Sequence, residues 1–418
     1  MASDRAIVVT GVGVVSPIGI GKEPFWSSLR EGRGGIRRLD IASDADLLPL
    51  VGGEVADFEP KQYVRPRKSL KVMNRDIQLG FAAADLACVD AGLRETPVDP
   101  ERFGVVFGAG VMPCELDEIA GACRRSAVDG KVSPRQWGQM AFPELFPLWM
   151  LKYLPNMPAC HIGIGQDARG PNNTMTLGDV SSLSALAEAV RVLDRGQADA
   201  VIVGGVGAKL HPLDWARGRV VGLSPSGTPR PFDAQRDGIV NGEGASAVIL
   251  EPESCAKARG VKVIARVLGY AGTFAPRRNG RYPLEDAIGR AICGALQDAG
   301  LIRADVGVVV AHGMSTVEDD RAEAQAIRQT LGDVPVTAPK SYFGHLGSAA
   351  GALETAVGIL AMQHGLIPPT LNYEQPDPDC PVNVVHGEPA VLSRPVALLL
   401  SHSRYGQAIA VVLGGAGG

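Results

Sequence analysis

Residues 180–205, VSSLSALAEAVRVLDRGQADAVIVGG, decide the fold. Apolar residues over 180–195 recur at helical spacing, and the pattern stops at Gly196. Residues 199–205 are rich in Val, Ile, Ala and Gly and read as a buried central strand. Working toward the N-terminus, 103–109 (FGVVFGA) predicts a second buried strand, 76–92 a helix ending at Gly92, 23–31 a short helix, and 6–15 (AIVVTGVGVV) another buried strand. Residues 111–160 are less regular and carry Trp137, Phe142, Phe146 and Trp149; they read as an insertion covering a pocket or an interface.

Toward the C-terminus the rhythm repeats. Strands are expected at 263–271, 305–311, 396–401 and 408–414, with helices at 284–299, 320–331 and 347–363. Alternating β and α elements imply parallel sheets covered by helices, an α/β class. Ala185-Leu186 with Ala189-Val190 is echoed by Ala352-Leu353 with Ala356-Val357, each after a glycine-rich approach. The echo suggests a duplication, with halves at 1–255 and 256–418. Thr10-Gly11-Val12-Gly13 follows strand residues like the start of a dinucleotide fingerprint, but position 16 is Ser where a third Gly is needed. Tight packing is the better reading of those glycines.

Composition narrows the function. Of 418 residues, 45% are hydrophobic, enough for a large core, and the formal net charge of -4 gives no bias toward nucleic acid or a membrane surface. Aromatics at 5% argue against base-stacking platforms. The seven cysteines, Cys88, Cys114, Cys123, Cys160, Cys255, Cys293 and Cys380, are scattered without C-x-x-C spacing. They read as reduced thiols, with no metal site. Asp4 and Arg5 precede the first strand without a positive leader or hydrophobic signal core, and no apolar run is long enough to span a bilayer. A cytoplasmic protein is expected.

Five segments carry a family resemblance: VVTGVGVVSPIG (8–19), RPFDAQRDGIVNGEGASAVILE (230–251), AHGMST (311–316), KSYFGHLGSAAGALE (340–354) and IPPTLNYEQPDPDC (367–380). In this order they resemble the β-ketoacyl-acyl-carrier-protein synthase II group. The resemblance implies a thiolase fold: a duplicated βαβαβαββ core in five layers, α/β/α/β/α, normally dimeric and without a cofactor. It implies that His312 and His345 are the pair that promotes malonyl decarboxylation, with Lys340 and Glu354 as the accompanying lysine and glutamate. Neutral imidazoles can donate hydrogen bonds to a developing oxyanion. It also implies that the basic stretch Arg65, Arg67, Lys68, Lys71 and Arg75 docks an acidic acyl carrier protein; a solvated helix face is the plainer reading.

Two departures stand out. Relatives carry a nucleophilic Cys after a Gly-Pro pair, at the start of a buried helix; here Gly170-Pro171 leads to Thr176-Leu177-Gly178-Asp179-Val180-Ser181-Ser182, and gap-free alignment places Asp179 on that Cys. A carboxylate is a poor nucleophile toward a thioester, and its product, a mixed anhydride, lies uphill. Asp179 is therefore expected to cap the helix, or alternatively to orient or charge His312 or His345. Ser181 and Ser182 lack a G-x-S-x-G elbow. The second departure is the stretch 401–407, SHSRYGQ, where relatives have the gating loop NSFGFGG; Arg404, Tyr405 and Gly406 make it stiffer or reshaped. An Arg404–Asp179 ion pair would connect the two departures.

Three functions remain open at this level. One is a non-condensing subunit, similar to a chain-length factor, in a homodimer or a heterodimer with an active ketosynthase. Another is a malonyl-carrier-protein decarboxylase using His312 and His345. The third is a divergent condensing enzyme with Cys160, in a segment that reads as an interface strand, as nucleophile.

Overall fold

The computed structural model describes residues 6–39 and 50–417; Asp4 and Arg5 lie outside the described residues. The first half runs β1 (Ile7–Ser16), α1 (Arg75–Asp90), β2 (Phe103–Gly108), α2 (Met157–Gln166), β3 (Asn172–Met175), α3 (Ser181–Asp194), β4 (Ala200–Ala208) and β5 (Glu243–Pro252). The second half repeats that order: β6 (Ala265–Phe274), α4 (Leu284–Ala299), β7 (Val308–Val310), α5 (Val317–Leu331), β8 (Pro335–Thr337), α6 (Ala350–His364), β9 (Val396–His402) and β10 (Gln407–Gly415).

The strands line up as β3-β2-β4-β5-β1 and then β6-β10-β9-β7-β8, two identical arrangements reflected about the junction. Within the first, β1, β5 and β4 pair antiparallel, while β4, β2 and β3 pair parallel. The second follows suit: β6, β10 and β9 antiparallel, then β9, β7 and β8 parallel. A short antiparallel ladder, Ile7↔Val267 to Val9↔Ala265, joins the halves. The faint sequence echo is thus a true duplication of topology.

Period-two alternation sorts the side chains into layers. Val308 and Val310 turn to the middle of the molecule, with Leu399, Val411, Val201 and Val203, against Leu186 and Val190 of α3 and Leu353 and Val357 of α6. Val309, Leu398, Leu400 and Val412 face outward beneath α4 and α5. Val105, Phe107, Ile202 and Ile249 face the other way beneath α1 and α2. The result is helix, sheet, paired central helices, sheet, helix. Every residue of α6 from Ala350 to Met362 is buried, as a helix sandwiched between two sheets requires.

Gly11 and Gly13 lie inside β1, not in a strand-to-helix turn. A Cβ on Gly13 would sit 2.0 Å from Ala83 O, and one on Gly11 2.4 Å from Ala87 O, so these glycines let α1 lie directly on the strand. Two sequence expectations change. Residues 157–166 form core helix α2, so Cys160 sits on a helix and not on a strand. The segment 230–251, read only as a motif, contains most of the fully buried central strand β5. Among the described residues, no helix is long and apolar enough to cross a membrane.

Candidate active site

Both central helices begin at the same end of the molecule, and the polar groups gather there. The chain leaves β3, makes a short turn at Gly178–Val180 and enters α3. Ser181 closes this turn: its Oγ accepts from Leu177 N at 2.9 Å and donates to Gly178 O at 2.6 Å. Asp179 does not cap the helix as the sequence led us to expect. The residue at the cap is Val180, without a side-chain bond. The turn instead carries the Asp179 carboxylate across to the second half, where Oδ1 lies 3.3 Å from His345 Nε2.

His345 is fixed by its backbone. Its N–H donates to Val240 O at 2.7 Å, and its carbonyl accepts from Gly242 N at 3.0 Å. Gly344 before it takes φ 80°, and a Cβ there would lie 2.7 Å from Val240 O, so this approach requires glycine. The side chain is 14% exposed and that of Asp179 24%. Burial pulls the His345 pKa down; Asp179 pushes it up, and Lys340, Lys209 and Arg404 add to the lowering. Nδ1 is buried with no hydrogen-bond partner, which leaves Nε2, facing Asp179, as the engaged nitrogen.

His312 lies just beyond β7 and is wholly buried. Glu323 of α5 takes the backbone N–H of His312 at 2.7 Å and of Gly313 at 2.8 Å. Lys340 Nζ lies 2.9 Å from His312 Nδ1 and also donates to His312 O and Glu354 Oε1. An ammonium has no acceptor, so Nδ1 must accept and the ring proton resides on Nε2. That Nε2–H is buried and unpartnered within the protein. Burial, followed by the charges of Lys340, His402 and His345, holds the His312 pKa well below the ordinary value, so the ring is neutral. Burial also raises Glu354 to about 7 despite Lys340.

The sequence reading missed two members. His402, at the end of β9, is buried with its ring centroid 4.5 Å from that of His312 at 66°. Its Nε2 is 3.4 Å from Glu323 Oε2, an ionic contact without good hydrogen-bond alignment. Only the parallel pairing of β7 with β9, Val310↔Leu399, brings residue 402 beside residue 312.

The expected Arg404–Asp179 ion pair is not what forms. Arg404 Nη2 reaches Asp319 Oδ2 at 3.6 Å, because the 403–406 turn projects it toward the start of α5 while Asp179 faces His345. Tyr405 is exposed and meets Tyr282 edge-on at 6.4 Å; Gly406, at φ 85°, accepts from Ala275 N at 2.8 Å. Arg404 and Tyr282 line a cleft of about 850 Å³ together with Thr316, Asp319 and Arg321.

Arg65, Arg67, Lys68 and Lys71 are exposed on the surface. Arg65 folds back onto Lys61 O and Val64 O, whereas Arg75 is structural, gripping Glu243 with bonds of 2.6 and 3.1 Å. Cys160 belongs to the outer helix layer, with Asn156 Nδ2 3.6 Å from its sulfur. Among the described residues no group of three or more His, Cys, Asp or Glu side chains could hold a metal ion.

Known proteins share this architecture. The beta-ketoacyl synthase N-terminal domain matches residues 4–256 and the beta-ketoacyl synthase C-terminal domain residues 264–374. The chain is 33% identical over 406 residues to a 3-oxoacyl-[acyl-carrier-protein] synthase 2 of Synechocystis sp., covering 94% of each. Among solved structures it is similar to the ishigamide ketosynthase/chain length factor, with TM-score 0.85, 30% identity, and 98% and 99% of the two chains covered. It is also similar to a type II polyketide synthase ketosynthase solved with its acyl-carrier protein, with TM-score 0.78, 28% identity and the same coverage. The architecture is that of the thiolase-fold ketosynthases.

Proposed function

The chain belongs to the beta-ketoacyl synthase family, and from that premise we propose that it is a non-condensing member of fatty-acid or polyketide biosynthesis, a chain-length-factor-like subunit of a cysteine-bearing ketosynthase. The observation that carries this reading is the contact of Asp179 with His345 Nε2 at 3.3 Å. In this reading Asp179 stands where an active relative holds its thiolate. It cannot form a stable acyl-enzyme, and it occupies the nitrogen with which His345 would address a substrate.

The subunit role draws on the surface as well. Val111, Leu116, Phe142, Phe146, Leu148 and Met150 expose large apolar side chains on the insertion, Phe142 to 86%. Strand β3 is a sheet edge, with one side unpaired among the described strands. Exposed apolar surface and an open strand edge each suit burial against a second thiolase-fold chain. One of the similar structures is itself a ketosynthase/chain length factor. Arg65, Arg67, Lys68 and Lys71 would steer an acidic acyl carrier protein in the cytoplasm. The test is to incubate the protein with acyl- and malonyl-carrier protein, alone and with a cysteine-bearing ketosynthase, and to follow carriers and proteins by intact mass spectrometry. No acyl adduct and no condensation alone, with a stable heterodimer in the mixture, is expected; an acylated protein on its own would sink the reading.

A second reading has its own observation. His312 presents a neutral Nε2–H with no partner, a donor ready for the enolate oxygen formed when malonyl thioester loses CO₂. Acetyl-carrier protein formed by the protein alone, lost in His312→Ala and increased in Asp179→Gln, would establish decarboxylation instead.

A further inference from the structure

Behind His312 lies a buried couple that neither reading uses. We infer that His402, 3.4 Å from Glu323 and set edge-on against the His312 ring, is a positioning residue for His312. The inference stands whether the protein acts as a subunit or as a decarboxylase.

The case is geometric. His312 is held from three sides. Lys340 takes Nδ1 at 2.9 Å, Glu323 takes the backbone N–H, and the His402 ring crosses its ring at 4.5 Å and 66°. Without the third contact, Lys340 alone would hold the ring, and the direction of Nε2–H would be less firmly set. Glu323 ties the assembly together. Its Oε1 and Oε2 bind the N–H groups of His312 and Gly313, and its Oε2 also faces His402 Nε2 at 3.4 Å. One carboxylate therefore sets both the backbone of His312 and the ring that flanks it.

The surrounding charges favour a cationic His402. From α5 it faces Glu323 and, farther off, Asp319; Lys340 opposes from the short helix Lys340–Phe343, Glu354 lies on α6, and His312 lies across the ring contact. Asp319 is already bound by Thr316 Oγ1 at 2.7 Å and lies 3.6 Å from Arg404, so Glu323 is the effective counter-ion. Burial pulls His402 down, but Glu323 outweighs it and the net shift is upward. Burial likewise pushes Glu323 up, yet His402 and the two backbone N–H groups bring it below the ordinary carboxylate range. A cation beside His312 opposes a second proton there, which keeps Nε2–H a neutral donor.

The seven histidines make this accessible to long-range ¹H–¹⁵N spectroscopy on histidine-labelled full-length protein. In the wild type, His312 is expected to stay in the neutral Nε2–H form through the pH range in which free imidazole protonates, while His402 protonates at higher pH than free imidazole. His402→Phe keeps a flat ring and removes the charge; the His312 protonation constant should rise at least tenfold. A purely structural role would leave that constant unchanged, and a shift below threefold overturns the inference. Should His402→Phe not fold, the wild-type titration decides alone: a His402 midpoint below that of free imidazole overturns the proposal, and one above it, falling at least tenfold in Glu323→Gln, sustains it.

Discussion

The two central helices start in the same way and end up in different chemistry. Each follows a one-turn segment, Gly178–Val180 before α3 and Gly347–Ala349 before α6, and in each the first glycine takes positive φ. Around α6 the polar groups are buried and interlocked: Lys340, Glu354, His312, Glu323 and His402 form one connected set. At the start of α3 there is one partly exposed carboxylate, Asp179, which reaches over to the other half for its partner. The duplication supplied two equivalent helix starts, and the second half kept the demanding environment. A fully buried ionic set tolerates little change, because removing one member strands the others. A partly wet position at a helix start accepts any residue that suits the dipole, and a carboxylate does. That asymmetry makes the α3 position the more tolerant of substitution and the α6 side the less tolerant.

The sharpest test of this contrast is Lys340→Met. At pH 8, where Glu354 is ionised in the wild type, it leaves that carboxylate buried without its cation, and the expected loss of stability is about 3–5 kcal/mol by chemical denaturation. A loss below about 1 kcal/mol would show that the set is not interlocked. Next come two leucines of the central layer, one from each helix. Leu186→Ala and Leu353→Ala should each lose about 2–5 kcal/mol, since both side chains lie in the central layer. Nearly equal values would place the asymmetry in the polar groups alone; a large inequality would place it in the packing too.

A pH experiment follows. Glu354 is raised to about 7 from an ordinary value of 4.5, so the folded chain binds a proton there that the unfolded chain releases. This contribution is complete below about pH 4.5 and is lost as pH rises through about 7, an effect on the order of 3 kcal/mol. His312 works in the opposite sense: with its pKa lowered, its contribution is lost as pH falls below about 6.5. Glu354→Gln should therefore flatten the decline in stability between pH 5 and 8. An unchanged slope would remove Glu354 from the account.

Much of this was legible in the chain. The strands at 6–15, 199–205 and 408–414 and the helices at 284–299 and 320–331 are strongly patterned segments, and pattern sufficed for them. Residues 157–166, MPACHIGIGQ, defeated it. Their glycines and isoleucines disfavour a helix locally, yet Gly165 allows α2 to touch Phe81, where a Cβ would lie 2.3 Å from the ring. Tertiary packing overrode propensity there. In the site, His312, His345, Lys340 and Glu354 could be named because each sits in a compact motif. His402 and Glu323 could not be named as members, because strand pairing alone brings them to His312. The partner of Asp179 was illegible for a related reason: the direction of a side chain leaving a one-turn segment depends on which residue closes the turn, and Ser181 does so here.

The smallest stability effect should come from Asp179. Asp179→Asn removes the charge and keeps the shape. With both side chains partly exposed, the loss of the ion pair should amount to about 0.2–1 kcal/mol. The informative readout is His345. Asp179 is the group that pushes its pKa up against burial and three cations, so the asparagine variant should titrate His345 lower than the wild type does. If the midpoint falls while stability scarcely changes, the α3 side acts on the α6 side through charge alone. If the midpoint stays, the 3.3 Å contact carries no electrostatic coupling between the two halves.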